Sequence, residues 1–412
     1  MIFLAACALL PSAGCGTLLA ITPDDVPATQ DGAATDGAAG GGEAGSEGAA
    51  ADALSALLVP PSIVLVGTST VSERVTVVIT RPSATPMSQV TVTFAAGSGV
   101  TATPVMGTST TTATLLALDV FATGTTTPRR LSVDVTVTDG KTTATVPLTV
   151  FVARHYRSGT IEPLDLTGLP SAQPYTVEAW GAGGGTPGGG AGGFATGTFM
   201  LAPTAYLVAV GTAAQAGGAG GVPGGGAAFA ANSKGGGGYS GFFTKGADLS
   251  PVANLAKVVA GAGGGSCVAG ALISGGGGGT TNLMHAEDGV GSMGSGALTT
   301  AGGTGAIGSG AATTENGGNG RDLVGGNAGV DAAGHSGGGG GGGYFGGGGG
   351  SVNGGASGAC SGGGGGSSYV LPTATGITTE GGRATTPGHA TDPLRGTAGE
   401  VGKDGAVLVI PQ

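Results

Sequence analysis

Charge is scarce in this chain of 412 residues: 9% of positions are Asp, Glu, Lys or Arg, and only 14 are basic. Nucleic-acid binding needs clustered Lys and Arg to neutralise phosphates, and no basic stripe occurs. With a net charge of −10, the chain is not a partner for nucleic acid. The four histidines, His155, His285, His335 and His389, show neither HExxH nor paired Cys/His spacing, which excludes the usual zinc arrangements. His285 lies beside Glu287 and Asp288, yet no nucleophile motif flanks them, so they are read as exposed. Gly402-Lys403-Asp404 lacks the spacing and hydroxyl of a phosphate loop, and no GxSxG elbow stands between a strand and a helix. No apolar run reaches the ~18 residues of a membrane-spanning helix. These absences leave no enzyme signature, and the chain is read as non-enzymatic.

Glycine is abundant instead. Seventy-eight of the 95 glycines follow residue 174, about one residue in three of that half. Collagen is excluded, because the run Gly337 to Gly350, interrupted by Tyr344-Phe345, breaks any triplet register and proline is sparse. A disordered linker is disfavoured by short apolar segments embedded among the glycines. With so few side chains, the backbone must supply much of the packing. Polyglycine that is neither turned nor paired satisfies its polar groups only in extended three-per-turn helices, which bond to one another.

The first twenty residues form an apolar segment resembling a lipoprotein signal, with lipobox-like LAAC ending at Cys7 and SAGC ending at Cys15. Cleavage before Cys7 would leave too short an apolar region, so Cys15 is the expected lipidation site and Cys7 the alternative. No Lys or Arg precedes Arg74, so the basic flank usual in such signals is missing. Residues 21–56, rich in Ala, Gly and acid, are expected to be a flexible tether.

Residues 57–153 turn to Val and Thr in alternation. Segments 62–66, 73–80, 89–94, 112–118, 131–139 and 143–152 read as strands, with Val133, Val135 and Val137 on one face and Asp134, Thr136 and Thr138 on the other. Asp139-Gly140 suggests a two-residue hairpin turn. Short strands at this spacing predict an Ig-like β-sandwich, and QVTVTFAAGSGVTATPVMG followed by RRLSVDVTVTDGKTTATVPLTV resembles bacterial Ig-like repeats, which implies a spacer.

Residues 157–412 carry strand-like segments at 175–180, 205–211, 238–245, 256–263, 367–371 and 405–410. The ordered series YTVEAWGAGGG, YLVAVG, GGGGYSGFF, AKVVAGAGGGS, GGGGGGGYFGGGGG, ACSGGGGGSSYV and DGAVLVI resembles the glycine-rich domain in the ectodomains of the anaplastic lymphoma kinase and leukocyte tyrosine kinase receptors. That resemblance implies an all-β fold, a tumour-necrosis-factor-like sandwich with polyglycine helices, and a part in ligand binding. It does not extend to a kinase, since VAIK, HRD and DFG are all missing.

The expected function is adhesion or recognition of an envelope glycan or surface protein, from an exported position held by a lipid anchor and no transmembrane helix. The alternatives are a structural coat element without a ligand and a calcium-stabilised module. Trp180, Tyr239, Tyr344 and Phe345 read first as anchors of the glycine bundle and second as stacking surfaces for a ligand. Residues 317–325 match the calcium-binding nonapeptide through Asp322, with a degraded copy carrying Asp331; calcium is the one candidate cofactor. Cys267 and Cys360 suit a disulfide in an exported domain, with two unrelated thiols as the alternative. For the anchor, a radioactive fatty acid is expected to label the parent protein and Cys7→Ala but not Cys15→Ala; an unlabelled parent would remove the anchor.

Overall fold

The computed structural model describes residues 54–66, 73–80, 91–94, 100–109, 113–122, 128–138, 142–157, 159–214, 218–230, 232–269, 271–279, 287–289, 294–308, 315–352 and 359–412. Cys7, Cys15, His285 and nearly all of the acidic tether lie outside them. Among the described residues the protein is all-β, with a short 3-10 turn at Ala253–Leu255. No described helix is long and apolar enough to cross a membrane.

The Val/Thr-rich region folds as two facing sheets. One has the order β1 (Ser55–Val59), β3 (Glu73–Thr80), β6 (Ala113–Ala122), β5 (Val100–Ser109). Facing it, β4 (Thr91–Phe94) and β7 (Arg129–Thr138) pair in turn onto β8 (Thr143–Arg157), with β2 (Ser62–Val66) parallel to β8. Alternation sets this packing: Val75, Val77 and Ile79 on β3 are wholly buried against Val133, Val135 and Val137 of β7 and Leu148 and Val150 of β8. Burying each such side chain contributes about 1.5–3 kcal/mol. The β7–β8 register differs from the expected tight hairpin, because Thr138 pairs with Thr143 and leaves four residues between them. A two-residue turn at Asp139-Gly140 would instead have paired Thr138 with Lys141.

Strand β8 is 15 residues long and passes through the expected boundary at 153–157. Its first ten residues pair with β7 and its last four with β19 (Ala406–Pro411). From there the sheet continues through β10 (Gln173–Trp180) and β11 (Phe194–Leu201) to β18 (Thr375–Glu380). It packs on a second sheet ordered β17 (Tyr369–Val370), β14 (Ala256–Ala260), β13 (Ser240–Thr244), β12 (Ala205–Ala209), β9 (Ile161–Asp165). Between them lie Tyr175, Val177, Leu201, Val208, Phe242, Val258 and Val409, with the Tyr206 and Phe242 rings stacked 5.1 Å apart.

Beyond the strand ends the chain enters a lattice made of backbone. Its centre is Gly337–Gly343, whose successive N–H groups turn to three different neighbours and return to the first every third residue. Gly337 and Gly340 donate to Gly329 and Gly326; Gly338 and Gly341 to Ser361 and Gly364; Gly339 and Gly342 to Lys234 and Gly237, all at 2.8–3.1 Å. Their carbonyls accept with the same period: Gly350 and Gly347 donate to Gly338 and Gly341, and Gly265 and Ala262 to Gly339 and Gly342. A period of three is that of the extended polyglycine helix. Surrounding segments follow the same rule, as where Ser361, Gly364 and Ser367 donate to Ser351, Gly348 and Phe345.

None of Gly337 to Gly343 has positive φ, so backbone conformation is not what demands glycine there. Proximity is. A Cβ on Gly338, Gly339, Gly340 or Gly341 would stand less than 3.0 Å from a carbonyl oxygen of Gly265, Gly226, Gly347 or Ala262. Gly341→Val is therefore expected to lower unfolding free energy by at least the 1–3 kcal/mol typical of overpacking, about the upper end or beyond, because flanking hydrogen bonds part as well. Gly168, with no atom within 4 Å of its would-be Cβ, should accept Ala with little change. Urea unfolding followed by circular dichroism compares the two, and equal midpoints would contradict a contact-packed lattice.

Candidate functional site

The predicted aromatic residues separate into two environments. Tyr344 and Phe345 form the turn between two lattice segments, and both are half-buried. Their backbones are pinned to one residue: Tyr344 N–H donates to the Ser367 carbonyl at 2.9 Å and Phe345 N–H to Ser367 Oγ at 3.0 Å. This brings the Tyr344 ring onto Tyr369 of β17, with centroids 4.0 Å apart and planes 12° from parallel, while Phe345 meets Tyr344 edge-on at 5.0 Å. Burial, and secondarily the neighbouring Tyr344, holds the Tyr369 hydroxyl above its ordinary pKa. Beneath lie Leu207, Phe243 and Leu323. A stacked tyrosine pair with a phenyl edge offers an apolar face and hydroxyls together, which suits the C–H face of a sugar or an apolar side chain.

Tyr239 and Trp180 do not share this surface. Tyr239 is 2% exposed and packs edge-on against Phe243 at 6.1 Å; burial raises its hydroxyl pKa. Trp180 is fully buried, 5.0 Å from Phe194 on the opposite face of β10. As ligand contacts both are corrected: each ring lies in a core and presents no face to solvent.

The two aspartates of the calcium reading lie in separate turns. Asp331 is committed to its own turn, where Oδ1 accepts from Ala333 and His335 N–H at 3.0 and 2.8 Å and Oδ2 meets His335 Nδ1 at 2.8 Å. Those bonds, His335 Nδ1 first, hold the carboxylate below its usual pKa. Asp322 is exposed in a turn that Leu323 closes at φ +62°, with Arg321 and Val324 exchanging both hydrogen bonds. Gly317 and Gly320 of the motif donate into the lattice, to Ala306 and Gly303. Among the described residues no three His, Cys, Asp or Glu side chains group to hold a metal.

Cys267 on β15 (Cys267–Ala269) and Cys360 are joined in a disulfide, with Cα atoms 6.3 Å apart. Polar side chains at the lattice rim serve a purpose that sequence reading did not assign. Asn319 Oδ1 accepts from Gly305 N–H, Asn327 Oδ1 from Ala227, Asp288 Oδ1 from Gly296, and Glu287 Oε2 from Gly277 and Ala384. They cap N–H groups where the lattice runs out of carbonyls.

A titratable cluster covers the outer face of the long sheet. His389 stacks on Phe194 at 4.6 Å, takes φ +51°, and bonds through Nδ1 to Glu380 Oε1 at 2.9 Å. Its Nε2 is 4.0 Å from Asp392. Glu178, which faces this side of β10 opposite Thr196 of β11, has its pKa pushed up to about 7 by burial first and by Asp392 second, with His389 opposing. Its Oε2 has no hydrogen-bond partner among the described residues.

Compared with family models, curated proteins and solved structures, the chain matches none.

The Glu178 environment makes stability depend on pH. The folded carboxyl keeps its proton up to about pH 7, whereas its ordinary value is 4.5, so this stabilisation is complete below pH 4.5 and lost as pH rises through 7. Between pH 4.5 and 8 the parent should lose about 3 kcal/mol more than Glu178→Gln. Parallel melting curves that fall equally for both proteins would contradict this.

Proposed function

We propose that the chain is a non-enzymatic, exported protein of the cell envelope that recognises a glycan or surface protein through its glycine-rich half. The observation that carries this reading is the half-buried Tyr344–Tyr369 stack with Phe345 beside it, held in place by Ser367. Rigid aromatic groups lose little conformational entropy on binding, which favours them as contact anchors. Support for export comes from the apolar N-terminal segment, the acidic tether and the disulfide, since such bonds persist in oxidising compartments. A lipid on Cys15 is the proposed anchor.

Supporting an Ig-like reading of residues 57–153 is the strand order β1-β3-β6-β5 opposite β4-β7-β8, the ABED and CFG pattern of constant-type Ig sandwiches. The parallel seat of β2 on β8 accords with it. Supporting the receptor-type reading of residues 157–412 are the two packed sheets, five strands deep on each side when the end of β8 is included, together with the three-periodic glycine lattice. These resemblances are carried by architecture and motif order, and they name no ligand.

A second reading, a structural coat element, is favoured by the lattice itself, which is held together by its own backbone hydrogen bonds. The test is retention of envelope components by the purified full chain. Tyr344→Ala/Phe345→Ala should reduce retention about tenfold or more while the protein stays folded. Undiminished retention by this variant would overturn recognition through the aromatic group; no retention by the folded parent would favour the coat element.

A further inference from the structure

The aromatic turn carries a carboxylate at its side. Asp322 pairs with Phe345 in an antiparallel bridge, and the flanking bonds run from Leu323 N–H to the Tyr344 carbonyl at 3.2 Å and from Gly346 N–H to the Arg321 carbonyl at 2.9 Å. That pattern leaves Asp322 and Phe345 themselves as a non-hydrogen-bonded pair, the closer of the two kinds, with Cα atoms about 4.5 Å apart and both side chains on one side of the ladder. Their neighbours turn the other way. Leu323 is 8% exposed, in the cluster against which Tyr344 and Tyr369 pack. Phe345 joins none of the hydrophobic clusters among the described residues, although it is only half-buried.

Both members of the pair stand on fixed backbone. Arg321 and Val324 exchange hydrogen bonds at 2.8 and 3.0 Å around Asp322, Gly325 N–H donates to Gly224 at 2.7 Å, and Phe345 N–H is held by Ser367 Oγ. The Asp322 side chain is exposed, and its carboxylate has no hydrogen bond or ion pair among the described residues. Stacked on each other at 4.0 Å, Tyr344 and Tyr369 enclose no space between them, so the group is a platform and not a cage around a cation. A flat ring with an unengaged acceptor beside it is what remains for a ligand.

We propose that Asp322 and Phe345 together hold one pyranose ring of an uncharged glycan, its C–H face on the Phe345 ring and its hydroxyls donating to the Asp322 carboxylate. The inference names the ligand class for the recognition reading and rests on that reading for the glycan's source. Elimination among ligand chemistries carries it. An apolar side chain would cover the ring but bring no donor to the carboxylate, which would lose water without replacement. An anionic sugar would set a second negative charge beside Asp322. A cation would gain only an exposed ion pair and a single exposed ring, both weak and the first screened by salt. An uncharged sugar answers both groups, because its hydroxyls donate to a charged acceptor while its C–H face covers the ring.

The test is NMR titration of the full chain with methyl β-glucoside, methyl β-galactoside, sodium glucuronate and choline chloride, reading the amides of Leu323, Phe345 and Gly346. At least one of the two neutral glycosides is expected to bind saturably, and about tenfold more tightly than glucuronate or choline. Asp322→Ala should weaken that binding about tenfold, with the exposed Asp248→Ala unchanged. Choline or glucuronate binding as tightly as the glycosides would overturn the uncharged ligand, and glycoside binding that survives Asp322→Ala would overturn the pair. Failure of both glycosides to bind, alongside envelope retention that depends on Tyr344 and Phe345, sinks this inference and spares recognition. Glycoside binding that depends on Asp322, where the parent retains no envelope component, supports the site and removes the envelope as its source of ligand.

Discussion

Everything in the glycine-rich half depends on one contact: a backbone N–H meeting a backbone carbonyl with no Cβ on either side to hold the chains apart. In a sheet each strand has two hydrogen-bonding neighbours, and its side chains separate it from the layers above and below. In the lattice around Gly337–Gly343, bonds leave the helix in several directions, because the three-residue period points each successive amide elsewhere. One helix thereby touches 326–329, 361–364, 234–237, 347–350 and 262–265 at once. Cohesion comes from many modest hydrogen bonds that are costly to leave unmade, in place of buried apolar area.

Such a lattice needs edges and an orienting frame, and the sandwich supplies both. Trp180 pairs with Phe194 as the last rung between β10 and β11, and the next rung is already lattice, with Gly181 N–H donating to Gly193. The strands thus launch the glycine segments in register, and Ser, Asn, Asp and Glu side chains close the bonds at the far rim. The same frame reaches the first sandwich through β8, which contributes to both cores, with Val150 in one and Tyr156 in the other. The disulfide of Cys267 with Cys360 ties two lattice segments 93 residues apart.

Legibility followed the side chains. Segments 62–66 and 73–80, read from Val and Thr alternation, coincide with β2 and β3, and 256–263 contains β14. Alternation also oriented Val133, Val135 and Val137 correctly. Strand β5 escaped because Pro104 and Gly107 interrupt it, β9 because of Pro163, and β18 because TGITTE is exposed and has one apolar residue. Within polyglycine no pattern distinguishes one register from another, so the neighbours of Gly340 could not be read at all. Tyr344-Phe345 stands out in the sequence, whereas its partner Tyr369 lies 25 residues away across a featureless run. Glu178 alternates with Val177 as an outward residue would, and nothing in YTVEAW announces that the 381–405 loop covers that face.

The lattice also changes what the protein exposes to proteases. Enzymes that cut after basic residues find none between Arg321 and Arg383, an interval that includes the central helix and the disulfide's second cysteine. Proteases of broader taste need an extended segment whose amides are free to pair with their own active-site strand. Here those amides are extended but already engaged, three ways per turn. A chain rich in the residue usually associated with flexibility is therefore most open to attack at its connecting loops, and least open where its glycine is densest.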